Sequence, residues 1–187
     1  MIRIIAGKHK NRVIATQKNP KYRPSTSKIR EAIFSILTSG RFIQDPILIN
    51  SNVLDLFTGT GSLAFEALSR GAAKATMIDI NDKYLKSAKI FAEFIGEDQN
   101  IDFLCLSAQT LPKALQQYNL VFVDPPYHKD LITNSLQSLL QGKWLMSGAI
   151  IAVESARTED FNLPQNMSLI TQRIYGNTKL SILEFIG

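Results

Sequence analysis

Asp124-Pro125-Pro126-Tyr127 places a carboxylate, two locked prolines and an aromatic ring in four consecutive positions. Each proline fixes φ and drives the residue before it toward extended backbone. The Asp124 carboxylate and the Pro125 carbonyl therefore become acceptors of fixed direction. Two such acceptors suit a planar amine with two N–H groups, and Tyr127 offers a face on which a base stacks. An exocyclic amine on a nucleobase is a poor nucleophile, because its lone pair is delocalised into the ring. Holding both N–H groups makes the nitrogen more tetrahedral and aims it at an electrophile. A base inside a duplex would first have to be flipped out. The competing reading is a proline-rich turn that merely follows a strand.

A second constellation lies upstream, in Asp55-Leu56-Phe57-Thr58-Gly59-Thr60-Gly61. Gly59 and Gly61 permit tight turns and close approach of a ligand, with Thr58 and Thr60 interleaved. A helix starting near Ser62 aims its first amides at the same place. Gly59-x-Gly61-x-x-Ala64 alone passes for a dinucleotide fingerprint. Asp55 argues against a pyrophosphate there, since a carboxylate repels it and suits an ammonium instead. Asp79 follows Gly61 by 18 residues, where a carboxylate can accept both hydroxyls of a ribose. An adenine site is expected after the next strand, near Ser107 and Ala108. Together the two stretches resemble the cofactor loop and the base-amine site of S-adenosylmethionine-dependent methyltransferases.

Strands and helices in alternation must position these loops. Apolar runs predict strands over Asn52–Phe57, Lys74–Ile80, Ile101–Leu106, Asn119–Val123 and Gly148–Glu154. Helices are expected over Ser62–Ser69, Asp82–Ile95 with Asp82 as cap and Gly96 as stop, near Leu111–Gln116, and over Asp130–Leu140. Met167–Ile174 and Lys179–Phe185 flank Gly176-Asn177, a hairpin signal. At the other end, Ile2–Ala6 and Arg12–Thr16 read as a hairpin around a basic turn. A linker over Lys18–Pro24 and a helix from about Ser27, capped by Ser25 or Thr26, follow. The expected architecture is a doubly wound α/β fold with a mostly parallel seven-stranded sheet and a basic N-terminal β-hairpin. Residues 1–22 form the hairpin and linker, and residues 23–187 the main domain.

The first 30 residues hold nine bases and no acid, whereas the remainder holds 12 bases and 16 acids. A basic arm on a mildly acidic body points to a polyanion, most simply nucleic acid. Ile2, Ile4, Ile5, Val13 and Ile14 give this arm an apolar side that a solvated tail would not need. No apolar run is long enough for a membrane span, and the N-terminus has no signal-peptide pattern, so a cytoplasmic chain without membrane contact is expected. His9, His128 and the single cysteine, Cys105, lack ligand-like spacing, so no metal site is expected. Cys105 reads as a small core residue.

The chain resembles the RsmD family of bacterial methyltransferases, which modify a guanine of small-subunit ribosomal RNA at N2. The resemblance runs through Arg3-Ile4-Ile5-Ala6-Gly7-Lys8, Arg23-Pro24-Ser25-Thr26 and Ile29-Arg30-Glu31-Ala32-Ile33-Phe34. It continues through the two loops above and Tyr175-Gly176-Asn177-Thr178-Lys179-Leu180. It implies a Rossmann-like class I fold, S-adenosylmethionine as cofactor, and 16S rRNA in an assembled or assembling 30S subunit as substrate. Asp55, Thr58, Gly59, Thr60, Gly61, Asp79, Ser107 and Ala108 become the cofactor candidates, and Asp124 to Tyr127 the catalytic motif. Arg3, Lys8, Lys10, Arg12, Arg23 and Arg30 become candidates for holding RNA, with a monomer as the default state. The family usually has Glu at Asp79 and often Asp at Asn81. Its basic turn is often richer in Arg and can carry an aromatic at His9. DNA adenine-N6 methylation, protein-glutamine methylation and a non-catalytic rRNA-binding assembly factor are the rival readings. The first commonly needs a separate recognition domain, and the second favours Asn where Asp124 stands.

Overall fold

The computed structural model describes residues 2–15, 26–43, 46–126 and 130–187. Arg23, Ser25, Tyr127, His128 and the whole Lys18–Pro24 linker lie outside these residues. The first two strands, β1 (Ile2–Arg3) and β2 (Val13–Ile14), pair antiparallel with Ile2 opposite Ile14. Helix α1 (Ser27–Leu37) follows, and the Thr26 hydroxyl accepts from Ile29 N–H at 3.3 Å as its cap. A 3-10 turn over Gly40–Ile43 then leads toward the sheet.

The body alternates β3 (Asn52–Leu56), α2 (Ser62–Ser69), β4 (Lys74–Asp79), α3 (Asp82–Ile95), β5 (Ile101–Cys105), β6 (Tyr118–Val123), α4 (Leu131–Gln141) and β7 (Leu145–Ala156). It ends in β8 (Met167–Tyr175) and β9 (Thr178–Phe185). These seven strands form one sheet in the order β5-β4-β3-β6-β7-β9-β8. β3 to β7 are mutually parallel, and β9 runs antiparallel between β7 and β8. Gly176 takes φ +61° in the turn that joins them.

Strand alternation sorts the core into two layers. Val53, Met77, Phe122 and Ala152 face α1, α2, α3 and the hairpin isoleucines, with Phe34 edge-on to Phe122 at 5.7 Å. Leu54, Ile78, Val121, Val123 and Val153 face α4. Among the described residues, no helix is long and apolar enough to cross a membrane.

Three local expectations need correction. No helix forms over Leu111–Gln116, because that stretch is tied to α4 and the turn after it. Leu111 N–H donates to Ser138 Oγ at 2.7 Å, Ala114 N–H to the Gly142 carbonyl at 2.8 Å, and Trp144 Nε1–H to the Pro112 carbonyl at 2.8 Å. The cap of α3 is Asn81, not Asp82, with the Asn81 side chain accepting from Lys83 N–H at 3.1 Å. Cys105 is exposed rather than in the core, since it ends an outer strand and points its sulfur toward the Ile80 carbonyl.

Candidate active site and basic arm

The parallel registers fix which loops meet. Leu56 of β3 pairs with both Ile78 of β4 and Val123 of β6, and Asp79 of β4 pairs with Cys105 of β5. The carboxyl ends of these strands therefore form one edge, where ligands of open α/β sheets bind. The Asp55–Gly61 loop leaves it from the centre, Asp79 from one side and Asp124 from the other. Ser107 and Ala108 follow β5 by two and three residues, with Ala108 buried.

The central loop is built around Asp55, which is 1% exposed. Its carboxylate accepts from Thr58 Oγ1–H at 2.8 Å and from Ala64 N–H in the first turn of α2 at 3.2 Å. The same side chain thus closes the turn and steadies the helix that starts there. The reversal begins at Phe57 with φ +61°, before either glycine. A bulky residue in that region is uncommon and marks a site held by its surroundings. Gly61 has φ +75°, and a Cβ on it would lie 2.7 Å from the Phe65 ring and 3.0 Å from Met77 Cε. A residue there with a side chain would push the loop off α2 and β4. Asp79 stitches across, accepting from Gly59 N–H at 2.9 Å and from Asn81 N–H at 2.8 Å. Asn81, an expected departure, therefore caps α3 and braces Asp79.

Burial pushes the Asp55 carboxyl up to about 7. The Thr58 and Ala64 hydrogen bonds pull against that rise, and the Asp79 charge adds to it. Burial also raises the Asp79 carboxyl above its ordinary value, against the pull of the Asn81 and Gly59 amides. Two acids held at one edge with ionisation suppressed gain from a cationic or hydroxyl-rich ligand. Ile80, next in sequence and 75% exposed, adds an apolar face that the sequence reading did not single out.

Asp124 is half-buried, Pro125 is buried and Pro126 is exposed, so the motif runs outward from the sheet. One residue beyond the Val123–Val153 pair on β7 stands Glu154, 5% exposed, which joins Asp55, Asp79 and Asp124 as a further carboxylate at this edge. Its position at the end of a predicted strand was the signal that could have found it.

The hairpin is docked on α2 and α3. Gly7 lies so close that a Cβ would sit 1.8 Å from the Ser69 carbonyl oxygen. Ile5 and Ala6 N–H donate to the Glu66 carboxylate at 2.7 and 3.0 Å, and Lys8 N–H donates to the Ser69 carbonyl at 2.8 Å. Lys8 Nζ and His9 Nε2 reach Glu97 at 2.6 and 2.5 Å. Burial alone would raise the Glu97 carboxyl, but its bonds to His9, Lys8 and Asn100 prevail and hold it below its ordinary value.

The six basic candidates separate accordingly. Arg3, Lys8, Lys10 and Arg12 are exposed, although Lys8 is ion-paired. Arg30 is a correction: it is 2% exposed, and its guanidinium donates to the Arg3 carbonyl at 3.0 Å and lies 3.8 Å from Glu66. A side chain spent in the interior holds the arm and cannot meet RNA. Sequence reasoning missed Glu66, on the wholly buried α2, and Glu97, just past the end of α3, since a lone acid gives no sign of the distant arm groups it will meet.

A family model described as conserved hypothetical protein 95 matches residues 2–184. An uncharacterized methylase of Rickettsia prowazekii is 38% identical, covering 99% of this chain and 98% of that protein. Ribosomal RNA small subunit methyltransferase D of Buchnera aphidicola is 32% identical, covering 92% and 87%. Among solved structures, a putative methyltransferase of Escherichia coli superposes with a TM-score of 0.87 at 28% identity, covering 100% and 98%.

Proposed function

The chain belongs to the family described as conserved hypothetical protein 95, the RsmD ribosomal RNA methyltransferases, and from this we propose that it methylates the exocyclic N2 amine of a guanine in 16S rRNA. In this reading the methyl donor is S-adenosylmethionine and the substrate is an assembled or assembling 30S subunit, met by a monomer. The observation that carries it is the adjacency of two loops, one leading from Asp55 through Gly61 and one opening at Asp124, on neighbouring strands in register. S-adenosylmethionine supplies a methyl group on a sulfonium, already a good leaving centre. The buried Asp55 suits its ammonium, Asp79 its ribose hydroxyls, and Ile80 with Ser107 and Ala108 its adenine. Asp124 and the Pro125 carbonyl accept the two N–H groups of the guanine amine, and Tyr127 stacks on the base. The exposed bases of the hairpin hold the RNA backbone.

The test is transfer of labelled methyl to undermethylated small subunits, with naked 16S rRNA, duplex DNA and bulk protein alongside. Label on N2 of a single guanine is the expected result. Label on adenine or on protein, or cofactor binding with no label anywhere, would favour one of the rival readings.

Asp55 gives a prediction with two signs. Its folded carboxyl titrates near 7 against an ordinary 3.8, so the folded chain holds the extra proton between those values. Stability therefore falls as pH rises through that window, and the cost persists above it. Asp55→Asn is expected to be more stable than the parent at pH 8, by up to about 4 kcal/mol at about 1.4 per unit, with no gain at pH 4. Cofactor affinity moves the other way: it tightens up to about tenfold per pH unit between pH 5 and 7 in the parent. Asp55→Asn loses affinity and that dependence. Urea unfolding and calorimetric titration check the two halves, and equal stability at pH 8 would remove the argument.

A further inference from the structure

Helix α3 joins the two functional ends of the molecule. It starts beside Asp79 at the cofactor edge and ends beside the basic turn, where Glu97 holds Lys8 and His9. Its 14 residues span about 21 Å. RNA that reaches from the arm to the catalytic edge has that distance to cover.

The outward side of α3 is unusual in composition. Ile90 and Phe94, one turn apart, are 68% and 66% exposed. Single exposed apolar residues are ordinary on a surface. These two, however, form one patch beside the arm, and the Arg12 guanidinium lies 5.4 Å from the Phe94 ring centroid. Phe91, buried beneath, holds the ring from the other quarter at 6.2 Å. The same helix also exposes Lys83, Lys86 and Lys89, and the arm exposes Lys10, against exposed Asp82 and Glu93. Lys86 is ion-paired with Asp82. An aromatic ring with a guanidinium already against it, inside a net basic surface, has the makings of a base-stacking platform.

We propose that the Ile90–Phe94 face of α3, with Arg12, is a second RNA contact on which an unpaired base of the substrate stacks. It extends the arm's grip along the molecule toward Asp79. This rests on the ribosomal RNA reading above and adds to it a site that depends on stacking rather than on phosphate charge. The distinction is measurable, because a stacking contact has little salt dependence and a phosphate contact has much.

The experiment measures fluorescence anisotropy with a labelled single-stranded RNA of mixed sequence, repeated with small subunits, over a range of salt concentrations. Phe94→Ala is expected to weaken binding to both about tenfold at every salt concentration, leaving the slope against log salt unchanged. Phe94→Tyr should bind within about twofold of the parent, because it keeps the ring. Lys10→Gln should instead flatten the slope by about 0.7, the value for one phosphate of a single strand. Parental affinity in Phe94→Ala overturns the proposal. So does weakening confined to subunits, which would make the occupant a ribosomal protein. A parent chain that binds neither RNA nor subunits would instead remove the ribosomal RNA reading itself, independently of Phe94.

Discussion

Asp124→Ala is expected to lower methyl transfer about 10²–10³-fold, the range for removing one preorganised group from a site of developing charge. The sulfonium of the proposed donor needs no activation, whereas the amine must give up conjugation with its ring as the new bond forms. An acceptor fixed on each N–H stabilises the tetrahedral nitrogen more than the planar one, so the interaction grows toward the transition state. Asp124 begins the loop after β6, and its neighbours Pro125 and Pro126 restrict how it can turn. Cofactor affinity should change little, because the residues proposed to hold the donor lie on β3, β4 and the loops after them and after β5. Asp124→Asn keeps one acceptor oxygen but turns a donor toward the amine and loses the charge, so it should recover only part of the rate. Single-turnover transfer at saturating cofactor, with affinity measured separately, distinguishes the cases. Transfer within about threefold of the parent in Asp124→Ala would exclude a role for this carboxylate in the chemical step.

The parts of this molecule that repeat a local rule were readable in advance. Val53, Leu54 and Leu56 around the lone Asp55, and Leu120-Val121-Phe122-Val123, place apolar side chains on both faces, as strands covered on both sides must, and both segments lie at the centre of the sheet. The Gly176-Asn177 turn and the Gly96 stop announce themselves through residues that tolerate positive φ. Long-range partners were not readable. The sequence suggests a helix at Leu111–Gln116, but the backbone there is claimed by Ser138 and Gly142 from across a helix. Arg30 reads as one more base in a basic arm, and only its burial against Glu66 and the Arg3 carbonyl shows that it faces inward. Cys105 sits in an apolar run, yet an outer strand leaves it at the surface. At the candidate active edge, glycine spacing located the loop, but Phe57 with positive φ could not be foreseen from residue type.

Glu66→Ala should cost about 3–5 kcal/mol of stability, the range for breaking a buried ion pair from one side. Glu66 is fully buried on α2 and accepts from Ile5 N–H, Ala6 N–H and Arg70 Nε, with Arg30 Nη1 3.8 Å away. Truncation leaves two arm amides without their acceptor and two guanidiniums without their carboxylate. The buried Arg30 suffers more than Arg70, which is partly exposed and also lies 4.8 Å over the Phe34 ring. Glu66→Gln keeps an acceptor oxygen and the packing, so it should cost less than truncation. Because the loss is mostly that of a stranded charge, Arg30→Met in the Glu66→Ala background should restore part of it. Additive losses in that double-mutant cycle, or a Glu66→Ala cost below about 1 kcal/mol by urea unfolding, would sink the argument. The consequence reaches beyond the hairpin. Glu66 lies on the helix that Gly61 caps, so the carboxylate that seats the basic arm belongs to the element that shapes the Asp55–Gly61 loop, the proposed cofactor site. Loosening one should be felt at the other, and Glu66→Gln should weaken cofactor and RNA binding together, whereas Phe94→Ala should touch RNA alone.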